Sequence, residues 1–217
     1  MWTYDKKLQY PVNIKQTNSK LAKAIITQFG GPDGELGASL RYLSQRFSTP
    51  YNHVKGLLTD IGTEELGHLE MICAIVHQLT KNLTMEEIKR QGFEAYYIDH
   101  TLGIYPVDTA GTPFSAGALQ SKGDTVTDLV EDMAAEQKAR TTYDNILRLA
   151  DDDDVRQPIR FLRAREITHF QRFGDTKRSF ESELKYYINT QKNRHIISQT
   201  NDMPKLFQLG GLQSVRA

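Results

Sequence analysis

The chain has 217 residues and its charges cancel, 27 Lys and Arg against 27 Asp and Glu, which suits one domain with a sizeable core and argues against a surface built to coat nucleic acid or an anionic membrane. Its single cysteine, Cys73, cannot close an internal disulfide, so the fold must rest on packing or on a metal. No stretch approaches the roughly 18–20 apolar residues of a membrane span, and the opening residues Met1 to Lys7 lack the layout of a signal peptide.

Four segments carry apolar residues at helical spacing and none of comparable length alternates as a strand does, so the expected class is all-α. The first runs from about Asn18 to Phe47, broken at Gly30-Gly31-Pro32-Asp33-Gly34 before Glu35. Ser48-Thr49-Pro50 offers a hydroxyl N-cap and a first-turn proline for a second helix reaching about Leu79. Residues 91–123, punctuated by glycines and by Pro106 and Pro113, read as a long crossover connection rather than a helix. Asp124 caps a third helix to about Leu149, and a fourth extends to about Ile188. Between them, Asp151-Asp152-Asp153-Asp154 reads as a solvated turn whose charge suits a helix N-terminus, and no metal is assigned there. Two helical hairpins joined by one long crossover define a ferritin-like four-helix bundle. The expected division is a bundle with its N-terminal segment over 1–189 and a polar C-terminal tail over 190–217 that wraps over a neighbouring surface.

Each apolar stripe is interrupted by ionisable residues. In the second helix it runs Val54, Leu58, Ile61, Glu65, His68, Ile72, Ile75, Leu79, and in the fourth Val155, Ile159, Leu162, Glu166, His169, Phe173. In the third it runs Val126, Leu129, Met133, Glu136, Arg140, Tyr143, Leu147. Glu35 shares a face with Ser39 and Tyr42, next to the apolar row Leu36, Leu40, Leu43 and Phe47. Every helix thus sends one carboxylate inward, and two add a histidine three residues later.

The spacing places these groups at one height. Glu35 and Glu65 are thirty residues apart with Pro50 midway, and Glu136 and Glu166 thirty apart with Asp151 midway. In an antiparallel pair, residues equidistant from the turn lie level, here about fourteen residues or 21 Å along the helix. Tyr42 and Tyr143 each follow their glutamate by seven, so the halves look like copies of one hairpin offset by 101 residues.

Four glutamates and two imidazoles in one buried layer are prohibitive as bare charges, because each unpaired buried ion costs several kcal/mol. Two divalent metal ions remove the difficulty, taking oxygen and imidazole ligands and leaving positions for a substrate. A lone Glu-x-x-His is usually a helix-surface pair or a satisfied core histidine. Two of them on core stripes, each matched by a glutamate thirty residues earlier, form the ligand pattern known for di-iron and di-manganese carboxylate bundles.

On these residues the sequence resembles the non-haem manganese catalases. The resemblance rests on Gln28-Phe29-Gly30-Gly31-Pro32-Asp33-Gly34-Glu35-Leu36, on Thr63-Glu64-Glu65-Leu66-Gly67-His68-Leu69-Glu70, on Glu136 with Arg140 and Tyr143, and on Glu166-Ile167-Thr168-His169. With Trp2 to Tyr10 it is similar to the spore-coat branch of that family, the CotJC-like proteins, and it covers roughly residues 15–190. The resemblance implies two manganese ions per subunit, with iron as the alternative, and disproportionation of hydrogen peroxide. Glu65 would bridge the two ions; Glu35 and His68 would complete one and Glu136 and His169 the other. Glu166 would stay unligated and shuttle protons, and Tyr42 would orient a carboxylate in the outer sphere. It further implies a homo-oligomer, a hexamer in the family, other spore-coat proteins as partners, and a place in the spore coat after assembly from the cytoplasm. Neither nucleic acid nor membrane is expected as a partner.

The chain departs from the longer catalases in its short C-terminal part and in Ala135, which stands where some members carry an arginine that helps close the site. Competing readings are a ferritin-like di-iron oxidase or peroxidase, and a structural coat protein with vestigial catalysis. A rubrerythrin-type peroxidase usually adds a four-cysteine site that one cysteine cannot make. Cys73 reads as a small buried hydrophobe rather than a catalyst. His53, His77, His100 and His195 read as structural or exposed, and Arg140 as the partner of a buried carboxylate.

Overall fold

A computed structural model describes Asp5 and residues 7–193. The order is α1 (Ser19–Ile25), α2 (Thr27–Gly30), α3 (Glu35–Gln45), α4 (Asn52–Thr80), α5 (Met85–Arg90), α6 (Glu94–His100), a short 3-10 turn (Ala116–Leu119), α7 (Thr125–Leu149) and α8 (Asp153–Asn193). Among the described residues there is no strand, only an isolated bridge between Val107 and Pro113. No helix among them is long and apolar enough to cross a membrane. The chain divides into two compact units at Arg178 and Ser179, and the first contains the inward carboxylates and histidines. The tail expected over 190–217 lies, beyond Asn193, outside the described residues, as does His195.

The ferritin-like bundle is made by α3, α4, α7 and α8. Asp124 caps α7 by accepting from the Thr127 amide at 2.8 Å, as expected, and Asn18 caps α1 by accepting from the Leu21 amide at 2.9 Å. The second helix begins two residues later than Pro50 suggests: Tyr51 is its N-cap, and Thr49 is buried with its hydroxyl taken by Thr125 at 3.0 Å. The crossover is less irregular than expected. It contains α6 and the 3-10 turn and is preceded by α5, whose Thr84 and Glu87 form a reciprocal capping box.

Two glycines set close approaches. Gly62 lets α3 lie against α4: a Cβ there would come within 2.9 Å of Leu43 Cγ and 3.2 Å of Tyr42 Cβ, and Ser39 Oγ donates to the Gly62 carbonyl at 2.8 Å. Gly30 admits the crossover, because a Cβ there would overlap the backbone of Pro106 and Val107.

The stripes of α4 and α8 are buried throughout, as read from the sequence. Those of α3 and α7 are not. On α3 the apolar row is only partly covered, with Leu36 and Leu43 half-buried and Leu40 and, just past the helix end, Phe47 exposed, while Glu35, Ser39, Arg41, Tyr42 and Gln45 are buried. On α7 the buried face is rotated to take in Asp128, Asp132, Ala135 and Ala139 beside Leu129, Glu136 and Tyr143. Arg140 falls off that face and pairs along its own helix with the half-buried Asp144 at 2.7 Å, not with a buried carboxylate.

Candidate metal centre

The four inward carboxylates and both histidines lie in one buried layer. Glu35, Glu65, His68, Glu136, Glu166 and His169 are each no more than 2% exposed. Glu65 is at the centre: its Oε2 is 2.6 Å from His68 Nδ1, and its Oε1 is 2.8 Å from His169 Nδ1. The two imidazoles stack, ring centres 5.5 Å apart. Glu35 Oε2 lies 3.7 Å from His68 Nδ1, Glu136 Oε2 lies 3.5 Å from His169 Nδ1, and Glu166 Oε1 is 4.0 Å from His68 Nδ1. The layer therefore divides into two half-sites, Glu35 with His68 and Glu136 with His169, sharing Glu65. One ligand atom each from Glu65, His68, Glu166 and His169 fall within 4.8 Å of one another, a spacing that can hold a metal ion.

The tyrosines cross over. Tyr42 donates to Glu136 Oε1 and Tyr143 donates to Glu35 Oε1, so each half of the chain steadies the carboxylate of the other. Tyr42 is thus hydrogen-bonded to one carboxylate of the layer, and Tyr143, its counterpart at the 101-residue offset, is hydrogen-bonded to another.

Sequence reasoning also missed Glu64 and Arg165. Glu64 is bound by Arg165 at 2.7 Å (Nε to Oε1) and 3.2 Å (Nη2 to Oε2). The same carboxylate lies 3.1 Å from His169 Nε2 and 3.6 Å from His68 Nε2. Each imidazole thus turns Nδ1 to Glu65 and Nε2 to Glu64, the outer carboxylate that commonly orients a ligating histidine. The signal was legible, for Glu64 and Arg165 are themselves 101 residues apart and each precedes its histidine by four.

Charge distribution follows from burial. Desolvation, with Glu65 nearby, pushes the Glu35 carboxyl up to about 7. Desolvation also raises Glu136, and lifts Glu166 well above the carboxylate range with the added repulsion of Glu35, Glu136 and Glu65. Burial works against the Glu65 anion too, but His169 and His68 outweigh it and hold its carboxyl well below the usual range. The histidines answer in kind: against their own desolvation, Glu65 and neighbouring carboxylates push His169 up to about 12 and raise His68 well above the ordinary value. The layer draws in positive charge wherever it can find it.

Hydrogen bonding tests whether a metal pair fits. Glu65 Oε1, Glu136 Oε2, Glu166 Oε1 and His169 Nδ1 are buried without a hydrogen-bond partner, and the 2.8 Å approach of His169 to Glu65 is not aligned as one. Unsatisfied buried polar atoms are costly and rare. Here they converge on the shared centre, the arrangement of donors aimed at a cation rather than at each other, and oxygen with imidazole suits manganese or iron.

Elsewhere the expectations are quieter. Cys73 is half-buried, and burial with Glu70 nearby pushes its thiol up to about 11, so it stays protonated. His53 and His77 are exposed and His100 half-buried, stacking on Tyr105. Ala135 is buried, in the lining of a pocket that reaches Glu35, Glu136 and Glu166.

A ferritin-like bundle whose core gathers four glutamates and two histidines into paired half-sites is the frame of the carboxylate-bridged dinuclear proteins. The family model described as manganese containing catalase matches residues 1–207, and the chain belongs to that family. It is 49% identical over 183 residues to Protein CotJC of Bacillus subtilis, covering 84% of this chain and 96% of that protein. A probable manganese catalase of Clostridium acetobutylicum is 32% identical over 185 residues, covering 84% of this chain and 82% of its own. Among solved structures, the chain is similar to KatB, a manganese catalase from Anabaena, with a TM-score of 0.78 and 35% identity over 83% of this chain and 81% of that one.

Proposed function

We propose that this protein disproportionates hydrogen peroxide to water and dioxygen at a pair of manganese ions, as a component of a spore coat. The observation that carries the reading is Glu65, whose two oxygens each face one imidazole nitrogen while Glu35 and Glu136 flank the pair. Glu35, His68 and Glu65 would hold one ion, and Glu136, His169 and Glu65 the second. When bound, the manganese pair supplies a reservoir that exchanges two electrons with each peroxide. Oxidation of one peroxide to dioxygen releases two protons, and reduction of the next to two waters consumes two. Glu166, buried 4.0 Å from His68 and with a carboxyl raised by desolvation, holds one of these two protons between the half-reactions and returns it. Tyr42 and Tyr143 keep Glu136 and Glu35 in place. The pocket that reaches Glu35, Glu136 and Glu166 has a free volume of only about 10 Å³, which favours a substrate of very few atoms.

The spore-coat setting is supported by similarity to Protein CotJC. The same similarity favours a second reading, in which the metals chiefly hold the bundle together. The test is oxygen evolution by protein loaded with manganese, with metal content measured on the same sample. Turnover that falls to background in Glu65→Ala and by about 10²-fold or more in Glu166→Gln is expected. Fully loaded protein without turnover would leave only the structural reading, and undiminished activity in Glu65→Ala would defeat the site assignment.

A further inference from the structure

Arg41 is not used by the proposed chemistry, and its surroundings do not account for it. It is 1% exposed; Nε and Nη1 have no hydrogen-bond partner, and Nη2 alone donates, to the Ala118 carbonyl at 3.2 Å. A guanidinium is charged at every accessible pH, and a buried one without an ion pair is expensive to keep. Among the described residues no carboxylate pairs with it. Asp132 attracts it from nearby without forming a hydrogen bond or close ion pair to it: one carboxylate oxygen accepts from Gln45 Nε2 at 2.9 Å and the other is buried without a partner.

Its position supplies a reason. Arg41 lines the pocket that reaches Glu35, Tyr42, Glu136 and Glu166, where Ala38, Ala135 and Ala139 leave the space a larger residue would fill. The open lining expected at Ala135 therefore contains a guanidinium after all, brought by α3 rather than α7. Asp33, on the same lining, is neutralised by Lys138 at 2.8 Å and is not a partner for it. The feature is also one-sided. The 101-residue offset pairs Ala38 with Ala139, yet pairs Arg41 with Thr142, whose hydroxyl only caps the Lys138 carbonyl at 3.0 Å. The bundle does not need an arginine here to fold twice over.

We propose that Arg41 holds a small monovalent anion, of the size of hydroperoxide or azide, in the pocket at the edge of the dinuclear site. Nη2 keeps a second N–H beyond the one given to Ala118, and with that of a free neighbouring nitrogen it forms the fork that such an anion accepts from. The inference rests on the metal reading, because Glu35, Glu136 and Glu166 would repel an anion there unless bound cations offset them. Arg41 is thus the group that draws the substrate's anionic form, and anions resembling it, to the approach face of the site.

Azide is the probe, used with manganese-loaded wild type, Arg41→Gln and Arg41→Lys, with bound manganese measured on each. Wild type that takes up no manganese would defeat the metal reading itself, and this inference with it. With manganese bound, calorimetry should show the azide Kd rising by about tenfold or more in Arg41→Gln and by less in Arg41→Lys, which keeps the charge but loses the fork. The peroxide KM should rise by a larger factor than kcat falls. An azide Kd in Arg41→Gln within twofold of wild type, at equal manganese content, overturns the inference while leaving the metal reading intact. Should Arg41→Gln fail to fold or load, a wild-type crystal soaked in azide decides: azide within hydrogen-bond distance of the Arg41 guanidinium supports the site, and azide only elsewhere, or none, overturns it.

Discussion

Replacing Glu64 tests whether the histidines depend on a residue that touches neither half-site carboxylate. Its carboxylate takes two hydrogen bonds from Arg165 and faces the Nε2 of both His169 and His68. Partial burial works against the anion, but those three partners outweigh it and hold its carboxyl well below the usual range. Outer carboxylates of this kind fix the ring orientation and raise imidazole basicity, and losing one typically costs about 10–100-fold in metal affinity. That corresponds to about 1.4–2.8 kcal/mol. Because Glu64 serves two imidazoles, Glu64→Ala should sit near the 100-fold end. Glu64→Gln, which keeps one acceptor oxygen but no charge, should sit near tenfold. The assay is manganese affinity by competition with a calibrated chelator, with thermal melting of the metal-free variants as the control for folding. Affinities within twofold of wild type in both variants, with melting unchanged, would refute the reasoning.

Other outcomes follow from the same geometry. Gly30→Ala should cost about 3 kcal/mol, since its Cβ would overlap the Pro106 and Val107 backbone and not a yielding side chain; a chain of this size should lose roughly 6–12 °C in Tm, and an unchanged Tm would show the crossover is not seated there. Tyr143→Phe leaves Glu35 without its buried donor and should destabilise the metal-free protein by about 1–3 kcal/mol in urea, with Tyr42→Phe doing the same through Glu136. The metal-free protein should be less stable at pH 8 than at pH 6. Glu35 moves from 4.5 to about 7, so its folded form binds the proton more tightly and its contribution is lost as pH rises through 7; His169, moved from 6.5 to about 12, loses its contribution above 6.5. Manganese must displace those protons, so the loaded protein should gain stability over the same window, and a metal-free Tm that rises from pH 6 to pH 8 would contradict the charge distribution.

The parts of the fold legible in the sequence are those where burial and apolarity coincide. On α4 and α8 a long apolar stripe carries Glu65, His68, Glu166 and His169 into the core, and period alone finds them. On α3 and α7 the buried face is largely polar: Arg41, Gln45 and Asp132 are inside, while Leu40 and Phe47 are outside. A hydrophobic stripe cannot report such a face, because what selects it is the site between the helices and not transfer from water. The short helices near the crossover were missed for a different reason. Each spans fewer residues than a period needs to show itself: local capping holds α5, at Thr84 and Glu87, and the 3-10 turn, at Ser115, while α6 has no side-chain cap.

The 101-residue offset explains which residues differ between the halves as well as which agree. Two copies of a hairpin facing each other bring equivalent residues together near the axis that relates them, as the stacked His68 and His169 show. Glu64 and Arg165 occupy equivalent positions and also touch, so identical residues there would set two carboxylates or two guanidiniums against each other. One of each makes a two-pronged pair and leaves a single carboxylate for both imidazoles. The pair should therefore work in either orientation. Glu64→Arg or Arg165→Glu alone places like charges in contact and should lower manganese affinity by more than about tenfold, while the double exchange restores a carboxylate four residues before His169, on the helix that now holds it. Recovery to within about threefold of wild type is expected in the chelator competition. A double variant no better than the worse single one would mean that Glu64 is fixed by its own helix and that the symmetry of the hairpins does not extend to their outer partners.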